Sequence, residues 1–379
     1  MSGVVLDKAN KVKVLHIITE LGDGGAEGVL YRMCKRDKDA EHVVLTFING
    51  GKYFSLLEDS GVKVLSLSIE RGKFSLSAFW NLIKIIRANK PDVVQTWLYH
   101  PDLIGGVAAR LCGVKSVCWG VRTSNVSEEK LSTKVITKVC ALLSNLVPTA
   151  IICCAEAAVS AHRELGYSSK KLTLVRNGYD FSVFSDDALS ASYQKCVSQV
   201  LKLGMVGRYT HQKDHNNLLE SLHLLNKKHE NWVCHLVGFG LTPQNEVLVN
   251  KINELNLQDK IKLDGQTNDV PGFMKTLDIH LLSSVMEGFP NVLAEAMASG
   301  VPCVSTDVGD ASHIVGQTGW IVPPKNPEKF SNALSEAISE LETKPQEWSQ
   351  RCQLASNRVR DNFDVESMIK EFKRAWLCN

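Results

Sequence analysis

Glu287 and Glu295 stand with seven residues between them. The first lies just ahead of Gly288 and Pro290, and the second falls inside an apolar run that ends at Gly300. Proline suits the first position of a helix and glycine the position just past its end. The spacing therefore predicts a short helix over residues 290–299, with Glu287 in the loop that feeds it. Phe289, Asn291, Val292 and Leu293 then offer backbone N–H groups from the helix start, where an anion can bind. Carboxylates beside such a place suit the hydroxyls of a polyhydroxylated ligand. One reading is a phosphate on the helix tip with sugars held by Glu287 and Glu295. The other is two solvated glutamates flanking an ordinary helix, and spacing alone favours that second reading.

Cations with the right chemistry lie upstream. Gly207 and Arg208 close an apolar run that starts at Val200, and Lys213 follows five residues after Arg208. Arginine offers a planar fork and lysine a point charge, a combination that suits a diphosphate. Gly238 and Gly240 follow the next strand-like run, and Gln266 to Val270 follow another. In open parallel sheets ligands bind at the carboxyl ends of the strands. Gly, cation or acid at every such end is the pattern of a nucleotide-diphosphate site.

The elements that must position these groups alternate along the whole chain. Strands are expected at 11–19, 41–47, 63–67, 92–96, 116–119, 150–154 and 172–175, with helices at 26–36, 53–60, 75–89 and 101–111 between them. A second series has strands at 200–207, 233–237, 261–263, 279–282, 303–305 and 320–322, and a helical tail from 330 to 379. Strand–helix alternation implies α/β architecture with parallel sheets covered on both faces. The polar stretch from 182 to 195 places the domain boundary near residue 185, giving domains 1–185 and 186–379. After the first strand comes Gly24–Gly25, which permits close approach of a ligand to the backbone but is not G-x-G-x-x-G.

Composition narrows the class. The net charge of +2 gives no nucleic-acid signal. Residues 1–185 carry 24 Lys+Arg against 17 Asp+Glu, which leaves 19 against 24 for residues 186–379, so the first half is the basic one. A basic half suits an anionic partner or membrane surface. The eleven cysteines are scattered, with no C-x-x-C and no His/Cys cluster at metal spacing. With no leader-like segment, the expectation is a reducing cytoplasm. No run is long enough to span a membrane; the longest uncharged stretch, 139–155, is broken by Ser144, Asn145 and Pro148. Lys130, Lys134 and Lys138 form one helical stripe, read either as a solvated face or as a contact with anionic lipid head groups.

Gly207–Arg208 with Lys213, Leu236-Val-Gly-Phe-Gly240, Glu287-Gly-Phe with Glu295, and Gly300-Val-Pro302 resemble the donor half of the retaining GT-B glycosyltransferases, the large family four. Gly24-Gly-Ala-Glu27, Arg176-Asn-Gly-Tyr-Asp180 and Phe184 resemble its other half, so the likeness spans essentially the whole chain. The resemblance implies two Rossmann-like domains facing each other across a cleft, with the C-terminal helices crossing back to the first. It implies a nucleotide-sugar donor, most often a UDP-sugar, and a glycan or polyprenyl-linked saccharide acceptor of a bacterial cell surface. Arg208 and Lys213 would neutralise the diphosphate, with Gly24 and Gly25 approaching it. Glu287 would contact the donor sugar and Glu295 the ribose. Gly288, Phe289, Pro290, Asn291, Val292, Gly207, Gly238, Gly240, Gln266 and Val270 would line the donor. Positioned cations replace a metal, so neither metal nor cofactor is expected.

Two departures stand out. Many relatives carry His-x-His where this chain has Gln95-Thr-Trp97, and an indole cannot take a proton. His100 is the nearest substitute, with Tyr99 or Asp102 as further cleft-facing candidates, and Arg122 falls where acceptor-side residues are expected. His313 occupies a position where relatives often have an acid, which leaves Asp310 as the nearby carboxylate. Two other readings stay open: a nucleotide-sugar-binding regulator without turnover, and a GT-B epimerase.

Overall fold

The computed structural model describes residues 11–124, 131–184 and 200–377. It divides into two units, residues 1–179 with 365–379, and residues 180–364.

The first unit alternates β1 (Val12–Ile18), α1 (Gly25–Arg36), β2 (Ala40–Thr46), α2 (Lys52–Asp59), β3 (Lys63–Ser66), α3 (Leu76–Asn89), β4 (Val93–Trp97), α4 (Tyr99–Leu111), β5 (Ser116–Val121), α5 (Leu131–Leu143), β6 (Ala150–Cys153), α6 (Glu156–Glu164) and β7 (Leu172–Leu174). Among the described residues its strands form one sheet in the order β3-β2-β1-β4-β5-β6-β7, parallel throughout. The order reverses at β1/β4, so right-handed crossovers put α1 and α2 on one face and α3 to α6 on the other.

The second unit follows the same rule with β8 (Leu201–Val206), α7 (His215–Asn226), β9 (Trp232–Val237), α8 (Glu246–Glu254), β10 (Ile261–Gly265), α9 (Val270–Lys275), β11 (Ile279–Leu282), α10 (Asn291–Ala298), β12 (Cys303–Thr306), α11 (Ala311–Val315), β13 (Trp320–Val322), α12 (Pro327–Thr343) and α13 (Pro345–Asn362). Its strand order is β10-β9-β8-β11-β12-β13, again parallel, with the reversal at β8/β11. Both halves are thus Rossmann-like sheets, as the alternation predicts.

The last helix, α14 (Val365–Leu377), belongs to the first unit and not to residues 186–379 as one block. Its apolar stripe explains why. Met368, Ile369, Phe372 and Trp376 are buried in one cluster with Val14, Ile18, Trp97 and Cys118 of the first sheet. Trp376 Nε1 donates to Gln95 Oε1 at 2.9 Å and Ser116 Oγ donates to the Trp376 carbonyl at 2.7 Å, so the polar atoms of the buried indole residue are paired. The chain leaves the first unit at Tyr179, and the boundary residue 185 lies outside the described residues.

Candidate functional site

Strand β8 delivers its residues to the carboxyl edge of the second sheet, and the next turn is shaped by glycine. Gly207 passes so close to Lys213 that a Cβ there would sit 3.0 Å from Lys213 Cε. Lys213 ends a 3-10 turn, and Asp214, left-handed at φ 44°, caps α7 by accepting from Asn217 N–H at 3.2 Å. The turn is pinned from β11, because Ser283 Oγ donates to the carbonyls of Lys213 (2.8 Å) and Asp214 (3.1 Å). The lysine therefore emerges on a fixed backbone.

Its ammonium group meets Glu287. Nζ lies 2.7 Å from Glu287 Oε1, with the two side chains 18 % and 16 % exposed. Ser284 Oγ donates to the same carboxylate oxygen at 2.7 Å. Ser284 is fully buried, and its carbonyl in turn accepts from Thr306 Oγ1 at 2.6 Å. Charge, hydroxyl and backbone thus fix Glu287 at the end of β11, the outcome that pre-organises a carboxylate for hydrogen bonding. His215 and His280 lie buried behind the lysine. Burial and then the nearby Lys213 charge hold them down, to about 4 and about 3, so both are neutral at pH 7.

The remaining residues expected here gather at the same edge. Arg208 is exposed immediately after Gly207. Gly238 has φ 149°, and a Cβ on it would come within 1.9 Å of the Gly207 carbonyl, so only glycine allows the β8 and β9 turns to touch. Tyr209 N–H donates to Phe239 O at 2.8 Å, joining these turns, and Gly240 follows at φ 80°. Gln266 is exposed after β10, and Val270 opens α9, where Asp269 accepts from Gly272 N–H at 2.8 Å.

Helix α10 starts at Asn291, with Pro290 as its cap, one residue later than the spacing predicts. Asn291 and Val292 are half-buried in the first turn, while the Leu293 N–H donates to Pro290 O at 3.1 Å and so leaves the set of outward donors. Phe289 turns its ring inward onto Phe363, centroids 5.4 Å apart. Gly288 O accepts from Asp310 N–H at 3.0 Å, and Asp310 itself is buried. His313 is exposed against the edge of Phe363. Glu295 sits half-buried one turn into α10.

In the first unit the structure corrects two expectations, those for Asp102 and Tyr99, and places Trp97. Trp97 ends β4 inside the core, fully buried, stacked on Phe372 at 5.8 Å and covered by the Arg122 guanidinium at 4.5 Å. Asp102 does not face outward: it is buried, with Oδ1 accepting from Thr96 Oγ1 (2.5 Å) and Gly120 N–H (3.1 Å). Burial pushes its carboxyl up to about 7 against the pull of those hydrogen bonds. Tyr99 is buried as well, donating to His162 Nε2 at 2.8 Å, since His162 Nδ1 is taken up with the Ala158 carbonyl at 2.8 Å. Tyr99 and Asp102 face inward because α4 lies over β4 and β5 and their first-turn side chains fall between helix and sheet, whereas Trp97, on the strand itself, is covered by α14. His100, by contrast, is exposed on the first turn of α4. Arg122 is half-buried after β5 and donates from Nη1 to Asn177 Oδ1 at 2.9 Å. Gly24 caps α1 and Gly25 begins it. Lys134 and Lys138 lie on α5; Lys130 lies outside the described residues.

The sequence reading missed two features. Ser284 holds Glu287, and the signal was present in the Ser283-Ser284 pair that ends the β11 run. His16, Cys34 and His42, far apart in sequence, come within 4.8 Å of one another in the core. Hydrogen bonding explains them better than a metal does. Trp97 Nε1 can only donate, so His16 Nδ1 accepts at 3.3 Å. His16 Nε2 then donates to His42 Nδ1 at 2.9 Å, and His42 Nε2 points to Asp37 Oδ2 at 3.3 Å. Both lone pairs are occupied, and burial holds the Cys34 thiol well above its ordinary range.

Comparison with known proteins follows the same division. Residues 23–183 match the family described as Glycosyltransferase Family 4, and residues 197–353 match Glycosyl transferases group 1. An Escherichia coli UDP-Gal:alpha-D-GlcNAc-diphosphoundecaprenol alpha-1,3-galactosyltransferase is 24% identical, over 78% of each chain. The Staphylococcus aureus capsular polysaccharide biosynthesis glycosyltransferase CapH is 22% identical over 97% of this chain and 99% of its own. Among solved structures, Anabaena Alr3699/HepE in complex with UDP superimposes with a TM-score of 0.82 at 21% identity, over 96% of this chain and 99% of its own.

Proposed function

We propose, from the premise that this chain belongs to the group 1 glycosyltransferases of GT-B fold, that it moves a sugar from a UDP-sugar to a glycan or polyprenyl-linked saccharide with retention of anomeric configuration. The observation that carries the reading is the Lys213–Glu287–Ser284 cluster at the carboxyl ends of β8 and β11, with Arg208 exposed in the same turn after β8. That is where a doubly wound sheet binds its ligand.

In this reading Arg208 and Lys213 neutralise the donor diphosphate, and their charge matters most as the phosphate leaves. Glu287 accepts hydroxyl hydrogen bonds from the donor sugar, held in place by Ser284. Glu295 takes the ribose, and the first turn of α10 supplies backbone N–H groups. Two positioned cations serve where other transferases use a divalent metal. The leaving phosphate oxygen takes the acceptor proton as the new bond forms on the face the leaving group vacates. His100 is the first-unit residue assigned to the acceptor hydroxyl, since Trp97 is enclosed. Bacterial polysaccharide synthesis is the setting suggested by the names of the relatives.

The test is turnover. UDP release with an acceptor present, from at least one UDP-sugar that binds, is the expected result. Binding without release for every donor would favour a nucleotide-sugar-sensing regulator, a reading that the inward-facing Trp97 supports.

A further inference from the structure

Helix α5 has its polarity reversed on the outside. Thr137, Cys140 and Ala141 are buried, the side by which α5 packs on α4. The opposite pole should be polar. Instead Leu131, Val135 and Leu142 are 78, 55 and 78 % exposed, and Leu146, in the turn beyond, is 76 % exposed. At about 3.6 residues per turn, positions 131, 135, 138 and 142 fall within one narrow arc. Lys138 sits inside that arc and Lys134 on its flank, and the helix carries no carboxylate at all.

We propose that this face of α5 docks on an anionic lipid bilayer, with Leu131, Val135 and Leu142 entering the head-group region and Lys134 and Lys138 contacting the lipid phosphates. Contiguous apolar side chains of this exposure mark an interaction surface. The lysines decide its partner. Protein interfaces deplete lysine at their centres, whereas an interfacial helix needs apolar residues and cations together so that the ammonium groups reach back to the head groups. The surrounding unit supports the sign, since residues 1–185 carry the chain's basic excess.

The position of the helix gives the docking a direction. All strands of the first sheet are parallel, so α5 begins at the carboxyl edge, where Arg122 and His100 also lie. Leu131 and Val135 are in its first turns. A bilayer held there would present an acceptor carried on a lipid to that edge; only this last step rests on the transferase reading.

Binding is measured by flotation of the full chain with vesicles of phosphatidylglycerol and phosphatidylcholine, with no donor or acceptor added. The wild type should float with the anionic vesicles and at least tenfold less with phosphatidylcholine alone. Leu131→Glu/Leu142→Glu should lose most of the bound fraction, at unchanged melting temperature because both side chains point to solvent. Lys134→Glu/Lys138→Glu should lose it too, and the wild-type signal should fall in 0.5 M salt to an extent set by about two contacts. Equal flotation of wild type and Leu131→Glu/Leu142→Glu would overturn the proposal. So would wild-type dimers in sedimentation velocity that Leu142→Glu dissociates while vesicles stay unbound. A chain that floats but transfers no sugar would refute the transferase reading alone.

Discussion

Lys213 and Glu287, 74 residues apart in sequence, are joined at 2.7 Å across the ends of β8 and β11. Each keeps less than a fifth of its exposure, so the contact is partly shielded from water and stronger than a surface pair. A diphosphate arriving at Lys213 competes with this carboxylate, and a sugar hydroxyl arriving at Glu287 competes with this ammonium. On the proposed reading, donor binding would redistribute an existing pair rather than fill two idle groups.

Removing the lysine should have two effects and removing Arg208 only one. Lys213→Ala is expected to weaken UDP binding by ten- to a hundredfold, about 1.5–3 kcal/mol, and also to lower stability by leaving Glu287 without its cation. Arg208→Ala should weaken UDP binding with little change in stability, because Arg208 is exposed. Titration calorimetry and thermal unfolding of both variants check this; unchanged UDP affinity in either would remove that residue from the diphosphate site.

Glu287→Gln should lower turnover by at least tenfold more than it lowers UDP affinity, since its hydroxyl contacts are assigned to the sugar and to the transition state. Ser284→Ala should give a loss in the same direction, about 1.5–3 kcal/mol for one hydrogen bond to a charged group. Equal losses in turnover and binding for Glu287→Gln would argue for a ground-state contact only.

His100→Ala should reduce turnover with UDP affinity unchanged, and wild-type rates would assign His100 to structure. Trp97→His is a separate matter. The indole is fully buried between Phe372 and Arg122, so the change is expected to cost about 3 kcal/mol or more and to lower the melting temperature by several degrees. It should add no activity, since the new imidazole would be enclosed.

Asp102 predicts a pH effect on stability. Its folded carboxyl titrates at about 7, above the ordinary unfolded value, so the folded chain holds a proton that the unfolded chain releases. The stability this group contributes is complete below about pH 4 and is lost as pH rises through 7. Asp102→Asn keeps an oxygen for Thr96 and Gly120 and cannot ionise. Its stability advantage over wild type should therefore grow by about 1–3 kcal/mol from pH 5 to pH 8, read by urea unfolding. A difference that does not change with pH would place the carboxyl proton elsewhere.

Much of this protein was legible in its residues. Periods of apolar residues set strands and helices because each element must bury one face, and a strand such as Ile279–Leu282 ends where the polar Ser283-Ser284 begins. Glycines at 238 and 240 marked backbone turns because their positive φ disfavours a side chain there, and Gly207 marked the close approach of the Lys213 side chain. The candidates of the second unit therefore fell together at the carboxyl edge of its sheet. What the linear order could not decide was which strands become neighbours and which way a side chain turns at a strand's end. Sheet order depends on crossovers that bring distant segments side by side, so only the fold could join Lys213 to Glu287 or gather His16, Cys34 and His42. At the β4 edge one residue of twist separates core from solvent: Trp97, Tyr99 and Asp102 went in, and His100 stayed out. The helix that encloses Trp97, α14, comes from the far end of the chain; its helical pattern and the resemblance announced a tail crossing back, but only the fold shows that it covers Trp97.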